Sequence, residues 1–172
     1  ATIIGILDSE NINFLDAKLF GMKNGFCLDF ITISNQAGEV ISNNSSVAKS
    51  LTIRLKEALD QEVLSPKIVK RRQPKHLKHF NTDTIITYKH DMTHRWTEVD
   101  IKTSDRPGLL ASICQVFLDH GALIRKARIA TYGERAEDKF CITSKENTPY
   151  LKKKDLERLI NDMKDSLSGV NK

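Results

Sequence analysis

A turn between a strand pattern and a helix pattern, at residues 104–110, constrains the fold of this chain most strongly. Residues 96–103 alternate large and polar side chains, which predicts a strand that is buried on one side only. Apolar side chains then recur at helical spacing through residues 109–117, so that one stripe of a helix can face a core. The segment is therefore predicted to form a strand–turn–helix unit.

The turn carries three residues that suit the start of a helix. Asp105 can accept hydrogen bonds from the first free backbone N–H groups, and Pro107 fits the first turn because its missing N–H is no loss there. Gly108 has no Cβ, so backbone or a ligand can approach closely. Unpaired backbone N–H groups beside a glycine at a helix N-terminus can bind an anion such as a free carboxylate. The same residues also suit a purely structural cap, and both interpretations stay open at this point.

The pattern after the turn predicts a split β-α-β unit. The helix ends near Gly121, two strand patterns follow at residues 122–131 and 136–143, and apolar spacing through residues 156–167 predicts a second helix. No fourth strand pattern follows that helix.

A hairpin before the turn supplies the strand that this unit needs. Residues 84–89 have a strand pattern, and residues 91–95 form a turn into residues 96–103. We expect residues 84–89 to pair antiparallel with residues 96–103, so that the last strand of this unit precedes its first.

The beginning of the chain repeats this unit. Residues 11–20 align with residues 122–130, so that Ala17 falls on Ala127 and Leu19 on Ile129. The next strand and an amphipathic helix follow in the same order, and the alignment makes residues 1–8 the end of a first helix. Two copies indicate a duplicated module, since a solenoid needs three or more repeats.

The duplication predicts an α+β protein of two ferredoxin-like (βαββαβ) modules. We assign residues 1–65 to the first module, residues 66–83 to a basic connector and residues 84–172 to the second module. The first module is expected to be truncated at its N-terminus, lacking its opening strand and ligand loop, and therefore to expose a sheet edge within residues 12–34. The second is expected to have its last strand supplied before its first.

Each strand that follows the hairpin turn of a module carries an aspartate on the face of its apolar residues. These are Asp29 and Asp138, and a charge there is costly unless it is paired or lies at the rim. Each can either position a ligand or tie a strand to backbone amides. We favour the structural role, because buried polar groups are normally satisfied locally.

Charge and cysteine content narrow the class of protein. The net charge of +5 is concentrated in residues 66–95, which hold eight basic and two acidic residues. Solvated basic connectors are common, so this excess does not require nucleic acid. Apolar runs are too short for a membrane span. Three widely spaced cysteines indicate buried thiols in a reducing cytoplasm.

Metal sites and transferase chemistry are not visible in the sequence. The pairs His76/His79 and His90/His94 lie in the connector and a turn, where no converging ligand set is expected. The chain has neither a Gly-rich phosphate loop nor paired carboxylates in a metal-binding context. We therefore predict no catalytic residues and no metal within these residues.

Residues 105–110 together with residues 127–140 resemble an ACT domain, the small-ligand regulatory module of amino-acid metabolism. Their amino-acid sequence is similar to that of the carboxy-terminal ACT pair of the bacterial bifunctional uridylyltransferase/uridylyl-removing enzymes that modify the nitrogen-regulatory protein PII. The resemblance implies a glutamine-sensing region that controls the nucleotidyltransferase and hydrolase activities of such an enzyme. It places the ligand-binding residues at Asp105, Arg106, Pro107, Gly108, Leu109, Leu110, Ala127, Arg128 and Ile129.

In that arrangement Asp105 takes the α-ammonium of an amino acid, and the amides of residues 108–110 take its α-carboxylate. Residues 127–129 supply the facing strand edge. The implied partners are glutamine or another amino acid, the catalytic domains of the parent chain and, through them, PII. No cofactor is expected here, while the parent enzyme is expected to need magnesium. A homo-oligomer through residues 12–34 is also expected, with no nucleic acid and no membrane.

Two alternatives remain open. The modules could regulate a different amino-acid-metabolism or stringent-response enzyme. They could also form an RNA-binding ferredoxin-like sheet, because the RNA-recognition motif has the same architecture. Against this, Leu28 stands where that motif has an aromatic, and Asp29 would repel phosphate.

Overall fold

The computed structural model describes residues 2–10, 12–21, 26–35, 37–60, 83–150 and 152–168. The first module contributes two helices and two strands in these ranges, and the second contributes four strands and two helices. In chain order the elements are α1 (Thr2–Ser9), β1 (Asn13–Gly21), β2 (Cys27–Ser34), α2 (Ser46–Asp60), β3 (Ile85–Asp91), β4 (Trp96–Ser104), α3 (Leu109–Asp119), β5 (Leu123–Tyr132), β6 (Arg135–Thr143) and α4 (Lys153–Leu167).

The six strands form one antiparallel sheet in the order β2-β1-β5-β6-β4-β3. The four strands of the second module lie side by side as β5-β6-β4-β3. This is the strand order of a ferredoxin-like sheet in which β3 takes the place of the last strand. The predicted α+β class with two ferredoxin-like modules is confirmed.

The hairpin prediction is also confirmed. Strand β3 pairs with β4 over its whole length, from Ile85 opposite Lys102 to Asp91 opposite Trp96. Thr84 precedes the strand and shares a hydrogen bond of 2.8 Å with Thr103 through their hydroxyl groups. The last strand of the second module therefore comes before its first.

The helices cover one face of the sheet, which we call the helix face. Buried strand residues such as Ile101, Ile129 and Phe140 pack with α3, α4 and Ile4 of α1 in a single core. A smaller cluster joins α1 to α2 through Ile6, Leu7, Ile12 and Leu51. The opposite face, which we call the open face, carries mainly charged and polar side chains. Among the described residues, no helix is long and apolar enough to cross a bilayer.

The two modules meet where β1 pairs with β5. In this pairing Ala17 lies opposite Ile129, and Leu19 lies opposite Ala127. The sequence repeat aligns Ala17 with Ala127 and Leu19 with Ile129, so the two residue pairs are equivalent. The seam is therefore symmetric, and the modules are related by an approximate two-fold axis through its centre. Ala17 and Ala127 are both 2% exposed, so both methyl side chains are buried at the seam.

Among the described strands, the open edge expected within residues 12–34 is present and lies on β2. Strand β1 is paired on both sides, and β2 is the outer strand at this end of the sheet. A seam between strands of distant sequence has no local signature, which is why it was not predicted. Self-association remains a prediction. Of the predicted connector, residues 66–82 lie outside the described residues.

We predict that Ala127→Leu lowers the free energy of unfolding by about 1–3 kcal/mol, because the added carbons overfill a closed position in the seam. The matched control is Ala130→Leu, three residues along the same strand, where the side chain is half-buried. This control should change stability by no more than about 0.5 kcal/mol. Urea unfolding followed by circular dichroism measures both. Equal costs for the two variants would contradict the tight seam.

Candidate functional site

The predicted ligand loop connects the end of β4 to the start of α3. Asp105 follows the strand directly, and its backbone N–H donates a 2.8 Å hydrogen bond to the carbonyl of Glu134. Glu134 belongs to the turn between β5 and β6, so the loop is held against that turn. Residues 105–108 are half-buried apart from the exposed Pro107.

The helix starts later than the sequence predicted. Its N-cap residue is Gly108, whose φ of 77° and ψ of 4° lie in the left-handed region, and no side chain caps the helix. The prediction that Asp105 caps α3 is therefore wrong, and Pro107 precedes the helix instead of opening its first turn. The reason is the left-handed glycine, because it lets a further turn form before the helix begins.

The backbone amides at this helix start are only partly used. The N–H of Leu109 donates to the carbonyl of Arg106 at 3.1 Å, and the carbonyl of Gly108 accepts from both the N–H and the hydroxyl of Ser112. Within the described ranges, no acceptor lies in hydrogen-bond range of the N–H groups of Gly108, Leu110 or Ala111. The loop can thus offer Gly108 and Leu110 to an anion, while Leu109 is already engaged.

Arg106 has a structural contact. Its Nη2 donates a 2.9 Å hydrogen bond to the carbonyl of Ser166, in the last turn of α4. Burial lowers the pKa of this guanidinium. The side chain therefore ties the loop to the end of α4, where a positive charge also complements the partial negative charge of the helix terminus.

Asp105 lies in a partly buried position without a cation bound to it in the described residues. Burial raises the pKa of its carboxyl, and the N–H of Arg106, which donates to the carboxylate, opposes this effect. A cationic ligand group placed beside Asp105 would replace the missing charge partner.

Asp138 lies deeper, on the helix face of β6, and is 3% exposed. Burial raises its pKa to about 7, and the nearby negative charge of Asp105 acts in the same direction. Its Oδ1 accepts a 3.4 Å hydrogen bond from the backbone N–H of Ala130. The first module repeats this contact, because Asp29 accepts a hydrogen bond from the backbone N–H of Phe20. Both aspartates therefore tie one strand to the next, in agreement with the structural role favoured above.

The predicted facing edge, residues 127–129, belongs to β5. Residues 127–129 lie in the middle of β5, where their backbone pairs with β1, and the loop contacts the turn beyond the end of that strand. The side chains of Ala127 and Ile129 are buried on the helix face, and Arg128 is exposed on the open face. Leu109 and Leu110 share one hydrophobic core with Ala127 and Ile129, and the assignment of these residues to a ligand site stays a prediction.

A cavity that was not anticipated from the sequence lies at the end of α3 opposite the loop. It has a volume of about 620 Å³ and is lined mainly by charged residues, including Arg158. His120 Nε2 lies 2.8 Å from a carboxylate oxygen of Asp162, and the Tyr150 hydroxyl donates to the carbonyl of His120 at 2.9 Å. Its residues are spread over a helix end, a loop and α4, so no short motif identifies them.

The histidine pairs considered in the sequence have other surroundings. His90 shares a 3.1 Å hydrogen bond with the hydroxyl of Thr97. His94 lies 2.7 Å from Asp91 and stacks on Trp96. His76 and His79 lie outside the described residues. Within the part of the chain that the structure describes, no three potential metal ligands cluster.

Comparisons with known proteins find relatives that match most of the chain. It is 36% identical over 149 residues to the bifunctional uridylyltransferase/uridylyl-removing enzyme of Pseudomonas putida, and equally similar to that of Azotobacter vinelandii. The corresponding enzyme of Pseudomonas savastanoi is 37% identical over 150 residues. The chain is homologous to one segment of these enzymes. The matches cover 87% of this chain and 17% of the length of each relative. Neither a family model nor a solved structure matches the chain.

We predict that Gly108→Ala lowers the free energy of unfolding by about 1–2 kcal/mol, because a Cβ is disfavoured at left-handed φ. Gly108→Asn should cost less, since asparagine tolerates this conformation. Thermal unfolding without ligand measures both. A Gly108→Ala protein as stable as the parent would contradict the left-handed cap.

We predict that Asp138→Asn changes how stability depends on pH. Between the ordinary aspartate pKa of 3.8 and the folded-state pKa of about 7, the folded chain retains a proton that the unfolded chain releases. This residue therefore lowers the free energy of unfolding as the pH rises through that window, by at most about 4 kcal/mol. The asparagine variant should lack this decline, while its amide oxygen can still accept from Ala130.

Urea unfolding between pH 4 and pH 8 tests this prediction on both proteins. Asp119→Asn is the control, because Asp119 is exposed and accepts its hydrogen bond from Gln115 one turn away. That variant should keep the pH dependence of the parent. Parallel curves for the parent and Asp138→Asn would refute the raised pKa.

Proposed function

We propose that this chain is the amino-acid-sensing regulatory region of a bifunctional uridylyltransferase/uridylyl-removing enzyme, formed by two ACT modules. The homology to one segment of such enzymes supports this assignment over a stringent-response enzyme. The chain spans about 17% of the length of these relatives, so the catalytic residues are proposed to lie elsewhere in the polypeptide. The relatives' names give the two activities that the region would regulate.

The segment at residues 105–110 is the observation that carries the proposal. It combines two uncommitted amides, those of Gly108 and Leu110, with a partly buried carboxyl that has no cation beside it. An amino acid presents the complementary pair of groups, an α-carboxylate and an α-ammonium. The helix N-terminus favours the carboxylate, and Asp105 favours the ammonium through a charge-assisted hydrogen bond.

The remaining loop residues support this geometry. Arg106 donates from Nη2 to the carbonyl of Ser166 and so fixes the loop on α4, while its remaining N–H groups can face a ligand. Leu109 and Leu110 are buried and anchor the first turn of α3 in the core. A ligand that pulls on the loop would therefore move α3 and the end of α4 together, which gives binding a route to the rest of the protein.

We propose glutamine as the amino acid and PII as the protein that the parent enzyme modifies. Glutamine would favour removal of uridylyl groups when nitrogen is plentiful. Magnesium would be held by the catalytic domains, which lie outside this chain. The buried, unpaired thiols of Cys114 and Cys141 fit a cytoplasmic setting.

Calorimetric titration with glutamine and a panel of other amino acids tests the proposal. We predict that Asp105→Asn weakens glutamine binding by about tenfold or more, corresponding to about 1.4 kcal/mol. The loss should be larger at low salt, because exposed charges are screened. Parent binding should also weaken as the pH falls, because only the ionised carboxylate attracts ammonium and burial raises the pKa of Asp105.

Asp119→Asn makes the same substitution at the other end of α3 and should leave affinity unchanged. Thermal unfolding of both variants shows whether the loop itself remains intact. No heat of binding with any amino acid would refute amino-acid sensing. Unchanged affinity in Asp105→Asn would instead refute this loop as the site.

A further inference from the structure

The centre of the open face carries three cationic side chains at neighbouring positions on the paired strands β1 and β5. Lys18 of β1 lies directly opposite Arg128 of β5, and Lys126 lies two residues before Arg128 on the same side of that strand. All three are exposed, and among the described residues none forms an ion pair. Like charges directly opposite each other on neighbouring strands destabilise a sheet. A negatively charged group bound beside these three side chains would therefore relieve their mutual repulsion.

The acids elsewhere on this face are already engaged. Glu98 lies 3.0 Å from Lys89, and Asp100 lies 3.0 Å from Lys139. Glu137 contacts both Lys102 and Arg135. Asp16, two residues before Lys18 on β1, is the remaining acid near the cluster, and it forms no ion pair in the described part of the chain. The second module thus neutralises its own face, whereas the seam does not.

Apolar side chains adjoin the three cations on the first module. Phe20 lies beside Lys126, and Phe30 lies beside Lys18 in the neighbouring strand pairs. The two rings meet edge to face with centroids 6.4 Å apart. Phe20, Leu28 and Phe30 are 37%, 44% and 58% exposed. We call the six residues the seam patch: Lys18, Phe20, Leu28, Phe30, Lys126 and Arg128.

We propose that the seam patch docks an acidic and partly apolar surface of the same enzyme, outside the 172 residues of this chain. Carboxylates of that surface would pair with the three cations, and its apolar side chains would cover the two phenylalanines and Leu28. The inference rests on the proposed function, because a regulatory region must contact the part that it regulates. The relatives supply such a part, since the matched segment is 17% of their length.

The charge pattern favours a protein surface over a longer polyanion. The cations occupy only two residue rows, about 7 Å apart along the strands. Beyond them, Glu98, Asp100 and Glu137 flank the patch on one side, and Asp16 lies at its end. Glu98, Asp100 and Glu137 are themselves paired with Lys89, Lys139, Lys102 and Arg135, so a nucleic-acid strand or an anionic bilayer that extended over them would gain no further unpaired cation. A few carboxylates on a folded surface would meet the cations alone.

Zero-length cross-linking of the full-length enzyme tests the proposal. A carbodiimide joins a lysine amine to a carboxylate only where the two are in contact, and mass spectrometry then identifies the partners. We expect Lys18 and Lys126 to be joined to aspartates or glutamates outside this chain. Phe30→Ser removes the apolar half of the contact while leaving both lysines, and the cross-links should be lost.

Ile85→Ser is the matched control, since Ile85 is 53% exposed on the open face at the far end of the sheet. Its cross-links should equal those of the parent. The proposal is overturned if Lys18 and Lys126 give no external cross-links while Lys153 on α4 reacts normally. Cross-links to a second copy of this chain, or cross-links that survive Phe30→Ser, would also overturn it.

Two further measurements separate the alternatives. Binding of oligouridine, or of vesicles containing phosphatidylglycerol, that is abolished in the Lys18→Gln/Lys126→Gln double variant would assign the patch to a polyanion. Glutamine titration of the Phe30→Ser protein should match the parent, because the patch and the loop lie on different faces. Absent glutamine binding with intact cross-links would thus reject the proposed sensing and keep the docking surface.

Discussion

The hydrogen-bonded pairing of β1 with β5 is the interaction on which the rest of the structure depends. It joins two modules into one sheet and sets their helices side by side, so that Ile4 of α1 shares a core with α3 and α4. It also covers an edge of β1 that would otherwise present unpaired N–H and C=O groups.

The seam also distributes function between the two faces of the sheet. On the helix face, the loop at residues 105–108 is tied to α4 by Arg106 and to the β5–β6 turn by Asp105. On the open face, the same pairing brings Lys18 opposite Arg128. Ligand binding at the loop and docking at the seam patch would therefore act on the same continuous sheet.

Local sequence patterns predicted the helices and strands. They did not predict the start of α3 or the pairing between the two modules, which depend on backbone conformation and on long-range contacts. The β3–β4 hairpin follows from strand periodicity around a short turn, and Asp29 and Asp138 were placed on the apolar face by alternation. The start of α3 was misplaced because a left-handed Gly108 is a backbone property that side-chain preferences do not reveal. The seam joins residues about one hundred positions apart, so nothing nearby in the sequence marks it.

Backbone contacts across the seam test the account most directly. Nuclear Overhauser effects between backbone protons of β1 and β5 report which residues face each other in solution. The account predicts contacts centred on Lys18 and Arg128, repeated symmetrically on either side, with slow exchange of the amides that bond across the seam. Two folded modules without these contacts, and with rapidly exchanging amides on β1 and β5, would contradict it.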